Sequence, residues 1–66
     1  MNLTVNGETR TFHDVADVAA LVNALGLDPR KVAVERNLEI VPRSAYSATT
    51  LAEGDRIEIV HFIGGG

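Results

Sequence analysis

A single stretch of this chain carries helical periodicity, and it stands among segments that alternate, or run apolar, as strands do. Val15, Val18, Ala19, Val22 and Leu25 recur at three- and four-residue spacing, Leu21 widens the stripe, and Asp17 and Asn23 fall off it. Asp14 is placed to cap this helix, with Asp17 three residues later in the position where a capping box prefers Glu or Gln. Gly26 supplies the left-handed residue that ends a helix, and Leu27 can fold back to make the accompanying apolar contact. The spacing therefore predicts one main helix, about Val15–Leu25. One helix covers only one face of a sheet, so the natural architecture is a two-layer α+β domain.

The strand signals lie on both sides of that helix. Met1, Leu3 and Val5 alternate with Asn2, Thr4 and Asn6, and Asn6-Gly7 is the preferred dipeptide of a type I′ hairpin leading into Glu8 to Phe12. After the helix, Asp28-Pro29 starts a turn in which Pro29 opens a short helical segment through Arg30 and Lys31. Val32 to Arg36 reads as a strand, Asn37-Leu38 as a tight turn, and Glu39 to Val41 as a strand that Pro42 must end or confine to an edge. Arg43 to Thr50 is hydroxyl-rich without a period and reads as a loop with room for one helical turn, Tyr46 and Leu51 packing inward. Glu53-Gly54-Asp55 is a turn, and Arg56 to His61 is the last strand, with Ile57 and Ile59 on one face and Arg56, Glu58 and Val60 on the other.

The order is β-β-α-β-β-β. If the last strand pairs with the first it does so in parallel, which needs intervening elements for the crossover. That arrangement is a β-grasp, or ubiquitin-like, roll: a mixed sheet with one main helix. The length of 66 residues allows one domain near the lower limit for folding without staples, and the absence of cysteine removes disulfides, thiolate metal sites and a catalytic thiol. A net charge of −3 without a basic stripe argues against a nucleic-acid partner. No apolar run approaches the ~20 residues that span a bilayer. Met1 to Val5 lacks the basic and apolar regions of a secretory leader. A soluble, cytoplasmic chain with no membrane partner is expected, organised as a domain over residues 1–61 and a flexible glycine tail over 62–66.

That tail is Gly64-Gly65-Gly66, reached directly from the apolar last strand. Glycine adds nothing to a core and is costly to order, roughly 1–2 kcal/mol per residue. Two readings fit such an end: a thin tether that carries an α-carboxylate into a narrow slot of another protein, or a truncated linker or cloning remnant.

Several segments together resemble the ThiS family of sulfur carriers of thiamine (thiazole) biosynthesis. They are the hairpin with Asn6-Gly7-Glu8, the helix Val18 to Leu25 closed by Gly26-Leu27-Asp28, and Val32-Ala33-Val34-Glu35-Arg36-Asn37. Ile40-Val41-Pro42-Arg43-Ser44, Leu51-Ala52-Glu53-Gly54-Asp55 and the end from Glu58 through Ile63 to Gly66 complete the match. Leu38 stands at a turn position where glycine is expected. The resemblance covers nearly the whole chain and implies a β-grasp carrier that is itself no enzyme. It makes the carboxylate of Gly66 the working group, with Gly64 and Gly65 as its lead-in. A ThiF-type adenylating enzyme would use ATP and magnesium to activate Gly66. A cysteine desulfurase relay would supply sulfur to form a thiocarboxylate, and a ThiG-type thiazole synthase would accept it. The same resemblance leaves room for a carrier serving molybdopterin or another sulfurated product, and for a ubiquitin-like modifier. A plain structural domain with an inert tail is the remaining rival.

Residues beside the tail are expected to meet the partner: Val60 on the sheet face opposite Ile57, Phe62 with the same parity, and Ile63 before the glycines. Arg36, Arg43 and Arg56 could contact an acidic partner surface, but for each an ordinary solvated charge is the preferred reading. His13 and His61 are far apart with no ligand spacing around them, so no metal is expected, and the carrier itself is expected to bind no cofactor. Asp14 and Asp17 read as helix-start residues, and Gly7, Gly26 and Gly54 as turn and cap positions rather than a phosphate loop.

Overall fold

A computed structural model of the chain describes residues 1–62. Its strands are β1 (Asn2–Val5), β2 (Glu8–Thr11), β3 (Val32–Arg36), β4 (Glu39–Val41) and β5 (Arg56–His61), with one α-helix, α1 (Val18–Ala24). They form one mixed sheet in the order β2-β1-β5-β3-β4, the β-grasp arrangement expected from the sequence.

Two tight hairpins make the outer pairs. Asn6 and Gly7 take φ of 49° and 80° and close β1–β2 with Val5 opposite Glu8, as a type I′ turn requires. Asn37 and Leu38 do the same for β3–β4, with φ of 51° and 71°. Leu38 thus occupies a left-handed conformation that suits glycine, and its side chain is 76% exposed, so no packing offsets the strain. β5 fills the place between the hairpins. It runs parallel to β1, with Thr4 opposite Arg56 and Val5 opposite Ile57, and antiparallel to β3 from Arg36–Ile57 to Val32–His61.

The helix begins three residues later than its apolar spacing predicts. Its N-cap is Asp17, not Asp14: Asp17 is extended, at φ −143°, and its Oδ1 accepts from the Ala20 N–H at 2.8 Å. Asp14 instead takes φ 58°, and Val15 is buried in the approach to the helix rather than inside it. Tertiary pairing sets this boundary. The Val18 N–H donates to Thr49 O, the Leu51 N–H donates to Ala16 O, and Asp17 forms a bridge with Thr50, so residues 16–18 are committed to an extended partner. The C-terminus is as expected. Gly26, at φ 73°, donates to Asn23 O and Leu27 donates to Val22 O, which completes a Schellman motif.

Seven residues are too few for a stable isolated helix, so α1 is held by what it buries. Val18, Leu21 and Val22 meet Leu3, Val34 and Ile57 of the sheet in one core. Each such aliphatic side chain contributes about 1.5–3 kcal/mol when removed from water. Tyr46, on the 3-10 segment Arg43–Ala48, closes the core and donates its hydroxyl to Val32 O at 3.3 Å; burial pushes its phenol above the ordinary value.

One buried polar knot was not visible in the sequence. Asp55 lies beneath the β3–β4 turn and accepts from Arg36 Nε at 2.8 Å, Asn37 Nδ2 at 3.0 Å and the Ala52 N–H at 2.8 Å. Arg36 is therefore a partner in a tight ion pair rather than a solvated charge. Burial pushes the Asp55 carboxyl up, but the hydrogen bonds from Asn37, Ala52 and Arg36, with the guanidinium charge, outweigh it and hold the group below the ordinary carboxylate range.

Candidate functional site

The sequence points to the end of β5, and the sheet holds that strand on both sides. Ile57 is fully buried, which anchors its start. On the β3 side the register runs through His61, and the Phe62 N–H donates to Lys31 O at 2.7 Å. On the β1 side the backbone ladder ends at the hairpin, where the Asn6 N–H donates to Ile57 O. The Asn6 side chain then continues it: its Oδ1 accepts from the Ile59 N–H at 2.7 Å, and its Nδ2 donates to Ile59 O at 3.2 Å. A turn residue therefore stands in for the next residue of a strand. Sequence reasoning assigned Asn6 only its turn, because nothing in one chain's pattern shows which neighbour lies across a sheet.

Helix α1 covers one face of the sheet. On the other, Val60 is 61% and Phe62 48% exposed, as their parity predicts. The fold adds two residues that the sequence did not single out. Ala33, directly opposite Val60, is exposed, and Ile40, directly opposite Glu35, is 78% exposed. Glu39-Ile40-Val41 gave no usable alternation, since two adjacent apolar residues cannot both face the core; Val41 does, and Ile40 is turned out. Ala33, Ile40 and Phe62 also line one shallow groove of about 310 Å³. Glu35 and Glu58 stand opposite each other across β3 and β5, in one row with Ile40 and beside the row of Ala33 and Val60.

The expected working residue Gly66, and Gly65, Gly64 and Ile63 before it, lie outside the described residues. Among the described residues no group of three or more potential ligands could hold a metal ion. No helix among them is long and apolar enough to cross a membrane. What is built here is a firmly held strand that leads off the sheet beside an exposed apolar surface.

The model of the ThiS family matches residues 3–66. The sulfur carrier protein ThiS of Bacillus subtilis is 38% identical over 65 residues, which cover 97% of this chain and 98% of that protein. A crystal structure of a thiamine biosynthesis protein (ThiS) from Geobacter metallireducens superposes with a TM-score of 0.84 at 42% identity, each chain covered completely. A thiazole synthase of Paramagnetospirillum magneticum is 58% identical over the full 66 residues, and the chain spans 20% of its length.

Proposed function

The chain belongs to the ThiS family, and on that footing we propose that it is a sulfur carrier of thiamine biosynthesis whose working group is the C-terminal carboxylate of Gly66. The observation that carries this reading is the family match over residues 3–66, which runs through the terminal glycines.

The chemistry suits a carrier without catalytic side chains. An α-carboxylate, with a pKa near ~3.5, is ionised at neutral pH and a poor electrophile. A ThiF-type enzyme overcomes this by letting the carboxylate oxygen attack the α-phosphorus of magnesium-bound ATP; pyrophosphate leaves and an acyl-adenylate forms. A sulfur nucleophile supplied by a cysteine desulfurase relay then attacks the acyl carbon and AMP departs, so one hard substitution becomes two easier ones. Because the relay carries its sulfur as a persulfide, the first product is an acyl disulfide. A second thiol attacks the donor sulfur, forms a disulfide with it and releases the thiocarboxylate, which thiazole synthase takes up in building its ring. The thiazole synthase relative, which contains a domain like this one within its own chain, supports that acceptor over molybdopterin.

In this cycle the domain presents and the tail reacts. Ordering the glycines opposes binding, so affinity must come from the folded surface beside them. Val60 and Phe62, with Ile40 and Ala33, offer that surface. The test is to incubate the chain with ATP, magnesium, an active adenylating enzyme and a sulfur source, and to measure intact mass. A gain equal to replacing one oxygen by sulfur supports the reading, and deletion of Gly66 abolishes it without altering the fold. No adenylate and no mass change with a demonstrably active enzyme would sink it.

A further inference from the structure

The open face of the sheet is not uniformly apolar. Glu35 is directly opposite Ile40 on one side and Glu58 on the other, and Ala33, two residues along β3, is opposite Val60. One row across the sheet is therefore Ile40, Glu35 and Glu58, and the neighbouring row on the same face holds Ala33 and Val60. Two like charges thus sit beside the exposed apolar residues. Carboxylates directly opposed across strands repel each other. Neither is in an ion pair among the described residues, where the ion pairs are Arg30–Asp28 and Arg36–Asp55. Arg56 is on the same face, two residues before Glu58, and makes no ion pair with either carboxylate.

This arrangement limits what can cover the face. A partner that buries both Ile40 and Val60 spans β3 between them, covering Glu35 beside Ile40, and reaches Glu58, two residues before Val60 on β5. A purely apolar partner would strand two unpaired charges, which is strongly unfavourable. A planar guanidinium fits: it stays charged, offers five donors to neighbouring carboxylates and packs its flat faces against aliphatic groups. A cation placed there also relieves the repulsion in the free protein, so the complex gains what the unbound sheet lacks.

We infer that this face docks thiazole synthase through an arginine set in an apolar patch, with Glu35 and Glu58 receiving the guanidinium and Ile40 and Val60 forming the apolar contacts around it. The inference rests on the sulfur-carrier reading for the identity of the partner and on the sheet register for its chemistry.

The experiment measures binding of the full chain to purified thiazole synthase by calorimetry at low and high salt. The wild-type chain binds, and its affinity falls as salt rises. The double variant Glu35→Gln/Glu58→Gln keeps its fold and melts at the same or a higher temperature, yet binds at least about tenfold more weakly and loses most of the salt dependence. Ile40→Ser weakens binding while keeping the salt dependence, which separates the two kinds of contact. Equal affinity and equal salt slope for the double glutamine variant overturn the inference and leave the carrier reading intact. Failure of the wild-type chain to bind overturns the inference, and a failed mass-gain test on the same preparation identifies loss of the carrier reading as well.

Discussion

Asn6 and Ile59 are joined by two hydrogen bonds between one side-chain amide and one backbone residue, at 2.7 and 3.2 Å. The hairpin turn thereby extends the β1 side of the ladder along β5, toward the end that leads to the glycines. The backbone alone would stop at Ile57.

Replacing Asn6 by Gly tests this extension with the turn preserved, since Gly accepts the positive φ. Two exposed hydrogen bonds are lost, and a stability decrease of about 1 kcal/mol is expected. Amide exchange at Ile59 should accelerate well beyond that of Val34, which keeps its β3 and core environment. Asn6→Ala should cost more than Asn6→Gly, because it adds backbone strain at φ 49°. Equal exchange rates at Ile59 in wild type and Asn6→Gly would show that the amide holds nothing.

Leu38 offers a prediction of the opposite sign. Its φ of 71° is strained and its side chain makes little packing, so Leu38→Gly removes the strain at the cost of a looser unfolded chain. A net stabilisation of roughly 0.5–1 kcal/mol is expected from urea unfolding.

The Asp55 knot gives the chain a defined acid response. Its folded-state pKa is depressed, so it binds a proton less readily folded than unfolded. Its contribution to stability is complete above the unfolded carboxylate value of ~3.9 and is lost as pH falls through the lower folded value. Urea midpoints measured from pH 7 down to pH 2 should show this loss, and Asp55→Asn should remove its share of the slope. At neutral pH Asp55→Ala should destabilise by roughly 2–4 kcal/mol, because Arg36, Asn37 and the Ala52 N–H all lose their acceptor.

Val60 and Phe62 should divide binding from folding. Val60→Ser with Phe62→Ser changes two exposed side chains outside the core cluster, so the melting temperature should move by only a few degrees. Sulfur loading should then require a higher carrier concentration, a rise in KM with kcat unchanged. A variant that loads as wild type would remove this surface from the partner contact.

The sequence shows the strands, the glycine-closed end of α1 and the parity that exposes Val60 and Phe62, because each is a local or periodic property. The start of α1 is misplaced because Asp14 and Asp17 are both acceptable caps by type, and only the pairing of residues 16–18 with 49–51 decides between them. Arg36 is misread for the same reason, since its partner Asp55 lies nineteen positions away in a turn. Ile40, Glu35 and Glu58 become a surface only once β4, β3 and β5 lie side by side. The chemistry proposed at Gly66 rests on kinship rather than on any pattern of side chains.

The position of β5 between the two hairpins has a consequence for how the molecule assembles. β1 and β3 share no pairing of their own, so the two hairpins join into one sheet through the last strand, whose pairing with β1 closes a loop from Thr4 to Arg56. The strand that completes the sheet is thus the one that leads toward the C-terminal glycines. A half-assembled molecule lacks the face on which Glu35, Glu58 and Val60 meet, and a partner that recognises that face as proposed will engage finished copies alone.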